Sequence, residues 1–391
     1  MFRKINKILQ PSTFNLQPLE FILQPLEFIL QPLEFILHPL EFILQPSKSF
    51  SLDFSDYSIE LVSLEGSLEN PEVSAVGRKI LDQGIVENGK ILNKESFKMA
   101  LEDLISHPQL GKIKTKKVIF SLPESKSFFH VFEKPKDLKE NEIENFVKTQ
   151  ASQIFPFSLE EIYFDYQIKE NFVLLAAISK EIVSGYLEIF KILKLSPIVL
   201  ETESMAWQRL FGEEGKTILI CDIGAKMTNL VLIEEGELKL SFSIEVGGEK
   251  FTRAISEKLN ISIKEAEKIK KRIGLNPEME GGRIFLILQK EVSEIIGEIK
   301  KIESYFKEKT NKEIEKIILI GGSALSPFLK EYFTENLEKE VLIGNPFKEI
   351  QIKEKLKIEP IFFSTALGLA LRGLEKNPKM AGINLIKGVK L

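Results

Sequence analysis

Cysteine is almost absent from this chain of 391 residues: there is one, alongside three histidines and one tryptophan. A single cysteine excludes an intramolecular disulfide and makes a cysteine-based metal site untenable. Cys221 lies in an apolar run ahead of an aspartate, the setting of a buried inert thiol rather than a nucleophile. His38, His107 and His130 are scattered and form no metal-spaced pair. No uninterrupted apolar run approaches the ~18 residues that a bilayer demands, so no direct membrane span is expected. A basic excess is missing too. The formal net charge is −4, which argues against nucleic acid as a partner. The basic run Lys268–Arg272 sits among glutamates and reads as a solvated helix face. The first residues are basic, but a continuous apolar signal core does not follow, so a cytoplasmic location is expected.

What is present is a globular composition, 43% hydrophobic and 28% charged, at a length that predicts two or three domains. Residues 16–43 hold four heptads, LQPLEFI three times and then LHPLEFI. A proline in every copy removes a helical hydrogen bond each time and forbids a continuous coiled coil. Seven residues are also too few for a solenoid layer. Residues 1–47 are therefore expected to form a disordered, proline-containing extension, with Phe21, Phe28, Phe35 and Phe42 exposed.

From Ser51 the pattern turns to strands: two around the polar turn Ser55–Ser58, then Val73–Leu81 and Ile85–Glu87, with Asn88-Gly89 as a hairpin turn. Ser96–Ile105 is an amphipathic helix and Lys117–Leu122 an interior strand. Residues 131–195 predict strand, helix (Glu140–Ile154), two strands (Ile162–Ile168 and Phe172–Ile178) and a helix (Lys180–Leu193), a compact α+β insertion. Ile198–Glu201 leads as a strand into a helix through Leu210. Helices are expected at Glu249–Leu259, Ile263–Ile273, Ile284–Thr310, Leu325–Leu337 and Ser364–Leu374. Lys316–Ile320 is a buried strand, and Ala381–Leu391 an extended end. Strands alternating with helices in two similar halves imply an α/β protein with a ligand in the cleft between them.

Three segments carry chemistry. In Ile218–Thr228, ILICDIGAKMT, an apolar run ends in Asp222, Gly224 permits a tight turn, and Ala225, Lys226 and Thr228 complete the loop. Such a turn offers backbone N–H groups, a hydroxyl and a carboxylate, the groups that hold a phosphate chain and its magnesium ion. Gly247 and Gly248 follow in GGEKFT. Asp53, Ser55, Asp56 and Ser58 form the turn near the start of the fold. In Ile317–Ala324, Gly321 and Gly322, with Ser323 and Ala324, let the backbone approach a flat ligand at a helix start.

In this order and spacing, together with EAEKIK at Glu265–Lys270, the segments resemble the actin-like ATPase superfamily, which includes sugar kinases, MreB, FtsA and PilM. The resemblance implies an α/β, actin-like (ribonuclease H-like) two-lobed ATPase fold binding ATP or ADP with Mg2+. It implies that the hairpins at Asp53–Ser58 and Asp222–Thr228 grip phosphates from the two lobes. Asp53 and Asp222 would hold the metal through water, Gly321–Ala324 would pack on adenosine, and Glu267 and Lys270 would approach the ribose and base. Glu203, in ETESMAWQRL, matches the glutamate of an MreB-like pattern that positions the attacking water, a role consistent with phosphoryl transfer. Within the superfamily the chain is most similar to the PilM family over about residues 50–375. That likeness rests on VIFSLPES (Val118–Ser125), Lys134–Phe157, EVGGEKFTRAI (Glu245–Ile255), Ile261–Lys270 and NPF (Asn345–Phe347).

The resemblance divides the chain into lobe 1 (48–130, 196–214 and 350–378), a small α+β insertion of FtsA/PilM type (131–195), lobe 2 (215–349, with 247–315 inserted) and a tail (379–391). Two departures matter: Ser55 stands where relatives have glycine, and Glu60 where a lysine is common. Both weaken the expected phosphate grip, so the enzyme expected is at most a slow ATPase. The function implied is a cytoplasmic ATP-binding adaptor of the type IV pilus assembly machinery. It would bind the N-terminal peptide of a PilN-like inner-membrane protein and sit against the membrane platform, with self-association a further expectation. An FtsA-like filament-forming membrane tether is the alternative. Ile383-Asn384-Leu385-Ile386 resembles the INLLP-type PilN peptide, so the tail is expected to compete for that groove, in cis or in a neighbouring copy.

Overall fold

FSLDF, the first strand, alternates the apolar Phe50, Leu52 and Phe54 with the polar Ser51 and Asp53, all five buried, and the chain builds outward from it. The computed structural model describes residues 49–353 and 357–389. The heptad array and the expected extension over 1–47 lie outside the described residues. In chain order the elements are β1 (Phe50–Phe54), β2 (Ser58–Gly66), β3 (Pro71–Ile80), β4 (Val86–Glu87), β5 (Lys90–Ile91), α1 (Lys94–Ser106), β6 (Leu110–Gly111) and β7 (Lys117–Leu122). Next come β8 (Ser127–Glu133), α2 (Ile143–Ile154), β9 (Ile162–Ile168), β10 (Phe172–Ser179), α3 (Lys180–Ile192), β11 (Ser196–Thr202) and α4 (Glu203–Phe211). The second half holds β12 (Thr217–Ile223), β13 (Thr228–Glu234), β14 (Glu237–Ile244), α5 (Gly248–Leu259), α6 (Ile263–Ile273) and α7 (Arg283–Thr310). It closes with β15 (Lys316–Ile320), α8 (Leu329–Leu337), β16 (Glu340–Ile343) and α9 (Ser364–Arg372).

Two sheets repeat one plan. The first has the order β11-β7-β1-β2-β3-β6 and the second β14-β13-β12-β15-β16. In each, an antiparallel meander (β1-β2-β3 or β12-β13-β14) is continued by two parallel strands (β7 and β11, or β15 and β16). The β1–β2 turn and the β12–β13 turn are therefore topological equivalents. Between the halves of the first sheet the chain makes a third sheet, β8-β10-β9, antiparallel and covered by α2. Its core of Val147, Ala151, Val173, Leu175 and Ala177 is separate from the main one.

Burial explains why the meander tips are held firmly. Phe54, at the end of β1, touches the rings of Phe97, Phe120, Tyr186 and Phe190, contributed by α1, β7 and α3. Each fully buried ring of this kind stabilises the fold by roughly 1.5–3 kcal/mol. Along α7 the buried positions Ile284, Leu288, Val292, Ile295, Ile299, Ile302 and Phe306 recur every three or four residues, one face of a helix. Ser262 and Glu265 cap α6 reciprocally.

Three expectations need correction. The helix expected over Leu325–Leu337 starts at Leu329, because Gly322–Leu325 forms a 3-10 turn and Pro327 and a positive-φ Phe328 intervene. β14 and β16 were not expected. Their partners supply the missing signal: β14 is half-exposed beside β13, and β16 is a short edge strand. The end expected to be extended is instead a docked segment, with Ile383, Asn384, Leu385 and Ile386 all buried.

Candidate functional site

The two equivalent turns face each other across a cavity of about 260 Å3 lined by Ser55, Asp56, Tyr57, Glu124, Glu203, Asp222, Gly224, Lys226 and Asn229, among others. A larger cavity, about 660 Å3, opens near Phe211, Lys316 and Asn345. Neither turn reaches it, so the smaller cavity is the candidate site.

The turns are chemically unequal. In the β12–β13 turn, Gly224 N–H donates to Met227 O at 3.0 Å. The N–H groups of Ala225, Lys226 and Met227 find no protein acceptor among the described residues. Carbonyls of the same turn are taken from behind: Gly248 N–H donates to Gly224 O (3.0 Å) and Glu249 N–H to Ala225 O (2.8 Å). The N-terminus of α5 thus fastens the loop, and its peptide dipole lies behind it. In the β1–β2 turn, by contrast, the Ser55 hydroxyl accepts from Tyr57 N–H (3.2 Å) and Ser58 N–H (3.0 Å). Two donors that a glycine would leave open to a phosphate are consumed by the serine itself.

Acids crowd the floor. Asp53 accepts from the Ser121 hydroxyl at 2.9 Å, and Asp222 from Asn229 Nδ2 at 2.9 Å. Burial, reinforced by the neighbouring Asp222 charge, pushes Asp53 up to about 6. Burial and the charge on Glu124 do the same for Asp222, also to about 6. Glu60 sits directly opposite Asp53 in the β1–β2 ladder. Burial and that charge push Glu60 up to about 7, although Arg78 Nε donates to it at 2.7 Å. Glu203 and Glu124 clasp each other through the backbone: Glu124 N–H donates to Glu203 (2.6 Å) and Ser204 N–H to Glu124 (3.0 Å). Burial first, and then the charges of Asp53, Asp222 and Glu124, raise the Glu203 carboxyl well above its ordinary value.

Among the described residues no three histidine, cysteine or acidic side chains are arranged to hold a metal directly. A crowded pair such as Asp53 and Asp222 instead suits Mg2+ that keeps its waters, the usual preference of that ion beside phosphates.

Other expected residues lie behind the cavity. Gly247 has no Cβ where one would stand 2.6 Å from Ala225 O, and at Gly321 (φ 81°) one would meet Asp222 Oδ1 at 2.4 Å. Both glycines let backbone support the loop. Ser323 Oγ donates to Gly224 O (3.1 Å). Lys270 donates to Gly248 O and Thr252 Oγ1, both at 2.8 Å, and pairs with Glu267 at 2.7 Å. Gly322 packs against Phe362, and Ala324 is buried. Two expected ligands are committed elsewhere. The Thr228 hydroxyl donates to Val246 O at 2.7 Å. Asp56 accepts from Asn88 N–H and Gly89 N–H, both at 2.9 Å, and from Lys226 at 2.6 Å. Ser58, buried, contributes its N–H to Ser55 rather than to the cavity.

The family model described as type IV pilus assembly protein PilM matches residues 51–374. The chain belongs to the PilM family. A solved structure described as "PilM-PilN type IV pilus biogenesis complex" superposes with a TM-score of 0.72 at 23% identity, covering 84% of this chain and 99% of that one. The ethanolamine utilization protein EutJ from Carboxydothermus hydrogenoformans follows at a TM-score of 0.50 and 18% identity, covering 83% of this chain and 90% of that one. The fold of this PilM-family chain is thus the actin-like one expected from its sequence. Among the described residues no helix is long and apolar enough to cross a membrane.

Several residues of this PilM-family site carry little signal in the sequence. Glu124 follows a strand-ending proline, a local mark that names no partner. Asn229, which orients Asp222 and accepts from Ser243 Oγ at 2.7 Å, is hidden in an apolar strand. Tyr57 donates to Glu249 across the cleft, a contact between positions 192 residues apart that no local pattern announces.

Proposed function

We propose that this chain is a nucleotide-binding adaptor of type IV pilus assembly that holds ATP or ADP with Mg2+ between its two lobes and hydrolyses it slowly. The observation that carries the reading is the inequality of the two turns: one presents three N–H groups beside Asp222 that have no acceptor among the described residues, and the other spends its donors on Ser55. An anion chain is therefore held chiefly from the second lobe. Asp53 and Asp222 would hold Mg2+ through water, and Glu203, which lines the same cavity, would orient the attacking water. Its clasp with Glu124 limits its freedom, which supports slow turnover. As the family resemblance implies, Gly321–Ala324 would pack on the adenosine and Glu267 and Lys270 would approach the ribose and base from behind the β12–β13 loop. Membership in the PilM family, and the presence of PilN in the superposed complex, support a PilN-like N-terminal peptide as the partner. That partner would recruit the chain to the inner face of the cytoplasmic membrane.

Calorimetric titration of the full chain with ATP and Mg2+ tests the nucleotide half. Binding is expected, to be lost by at least tenfold in Asp222→Asn, because a charge-assisted contact contributes about 1.5–3 kcal/mol. No binding to the unaltered chain overturns it. A pull-down with a PilN-like N-terminal peptide, with and without ATP, tests the partner half, and no capture in either condition removes that partner.

A further inference from the structure

β11 is the outer strand of its sheet, and an outer strand leaves backbone donors and acceptors open. Here the chain's own C-terminal segment closes them. Leu385 N–H donates to Leu200 O at 2.8 Å. The Asn384 side chain reads the same strand in both senses: its Oδ1 accepts from Leu200 N–H (3.2 Å) and its Nδ2 donates to Ile198 O (3.0 Å). On the other side Asn384 N–H donates to Asp165 Oδ2 of β9 at 2.8 Å. The groove therefore has one wall from the first large sheet and one from the inserted sheet. Ile383, Leu385 and Ile386 fill it with exposures of 1%, 2% and 6%.

The occupant is short. Lys379, Met380 and Ala381 before it are exposed, as are Lys387 and Gly388 after it. The linker is held mainly by the buried Arg372, whose Nη1 donates to Ile383 O at 2.6 Å and whose Nε donates to Pro378 O at 2.8 Å. Most contacts use backbone groups of the occupant plus one asparagine. Any linear peptide with an asparagine between aliphatic residues can make the same set.

We propose that Ile383–Ile386 is a resident self-ligand of a peptide-docking groove. A peptide of pattern aliphatic–Asn–Leu–aliphatic from another protein enters only by displacing it. The groove and its resident stand on the contacts above, whereas equating the external peptide with a PilN-like one rests on the adaptor reading. Tethering gives the resident an effective concentration in the millimolar range, so it sets a threshold that the external peptide must exceed.

The test uses the full chain and two labelled peptides, one with the sequence of residues 381–391 and one from a PilN-like N-terminus, read by fluorescence anisotropy. Asn384→Ala and Leu385→Asp in the tail weaken the resident and leave the groove walls intact. Both variants are expected to bind the 381–391 peptide at least tenfold tighter than the unaltered chain does, and the same peptide with its asparagine changed to alanine is expected not to bind. Equal affinity of variants and unaltered chain, with melting temperatures preserved, overturns the proposal. If a variant is destabilised, hydrogen exchange at Leu385 in the unaltered chain decides instead, because its N–H is held by Leu200 O only while the resident is docked. Protection there that is lost on adding excess peptide supports displacement, and protection that persists while label is bound overturns it. Tight binding of the 381–391 peptide without binding of the PilN-like peptide upholds the groove and removes the PilN-like partner.

Discussion

Ser55 shows how one side chain reverses the meaning of a turn. With its hydroxyl capping Tyr57 and Ser58, the first hairpin satisfies itself and has less to offer an anion. Ser55→Gly is expected to free both donors and tighten nucleotide binding about five- to tenfold, the equivalent of one net hydrogen bond. Unchanged affinity by calorimetry contradicts this account. The floor acids make a pH prediction. Asp53 and Asp222 titrate near 6 in the folded chain, against an ordinary 3.8, because burial penalises their charged forms. A folded state that holds protons more tightly is favoured at low pH. Their contribution to stability is thus full below 3.8 and is lost as pH rises through about 6. Melting temperature of the ligand-free chain should therefore fall across that window, and the fall should shrink in the double variant Asp53→Asn, Asp222→Asn. Glu201 acts in the opposite sense. Burial pushes it up, but Arg209 and Arg372 outweigh burial and hold it below the ordinary value, so its contribution is lost only as the solution becomes strongly acidic. Magnesium and phosphate need the ionised floor, so nucleotide binding should strengthen as pH rises through about 6 and should release protons.

At the scale of elements, glycine and helix contacts set how closely the parts approach. α9 lies against α4 with Gly368 at the crossing, where a Cβ would stand 2.2 Å from Ala206 O. Gly368→Ala must separate two buried helices and is expected to cost about 1–3 kcal/mol, checked by denaturant unfolding. A variant as stable as the original contradicts the crossing described. The same contact matters to the site, because Trp207 of α4 donates to Thr365 of α9 at 2.9 Å, beneath the Asp53 floor. Periodic elements were legible in advance: α7, α6 and the buried strands β7, β12 and β15 carry their own patterns. β14 and β16 were not legible, because a half-exposed strand is recognised only by the neighbour it pairs with.

At the scale of the whole molecule, the two lobes meet through Lys226–Asp56 at 2.6 Å and through the Tyr57 hydroxyl on Glu249. The first joins the two hairpins beside the cavity, and the second ties the β1–β2 turn to α5. The double variant Tyr57→Phe, Lys226→Met is expected to loosen the cleft without unfolding it. It should raise hydrogen exchange at the β1–β2 turn and speed nucleotide release severalfold in a chase with unlabelled ATP. Release at the original rate would show that these contacts do not gate the cleft.

The local chemistry was written in the sequence: the apolar run ending in Asp222, Asp53 inside FSLDF, and glycines at 224, 247 and 321 each constrain the backbone within a few residues of themselves. Through the family resemblance these motifs carry, they pointed to the actin-like fold that the structure has. Tertiary structure alone decided which of those groups remain available. Ser55 consumed its turn's donors, Asp56 and Thr228 were taken by other backbone groups, Glu124 joined Glu203, and the tail settled on the open edge of β11. The physical reason is common to all of them. A polar group's function depends on whether folding leaves it without a partner, and, Ser55 apart, those partners lie far away in the chain.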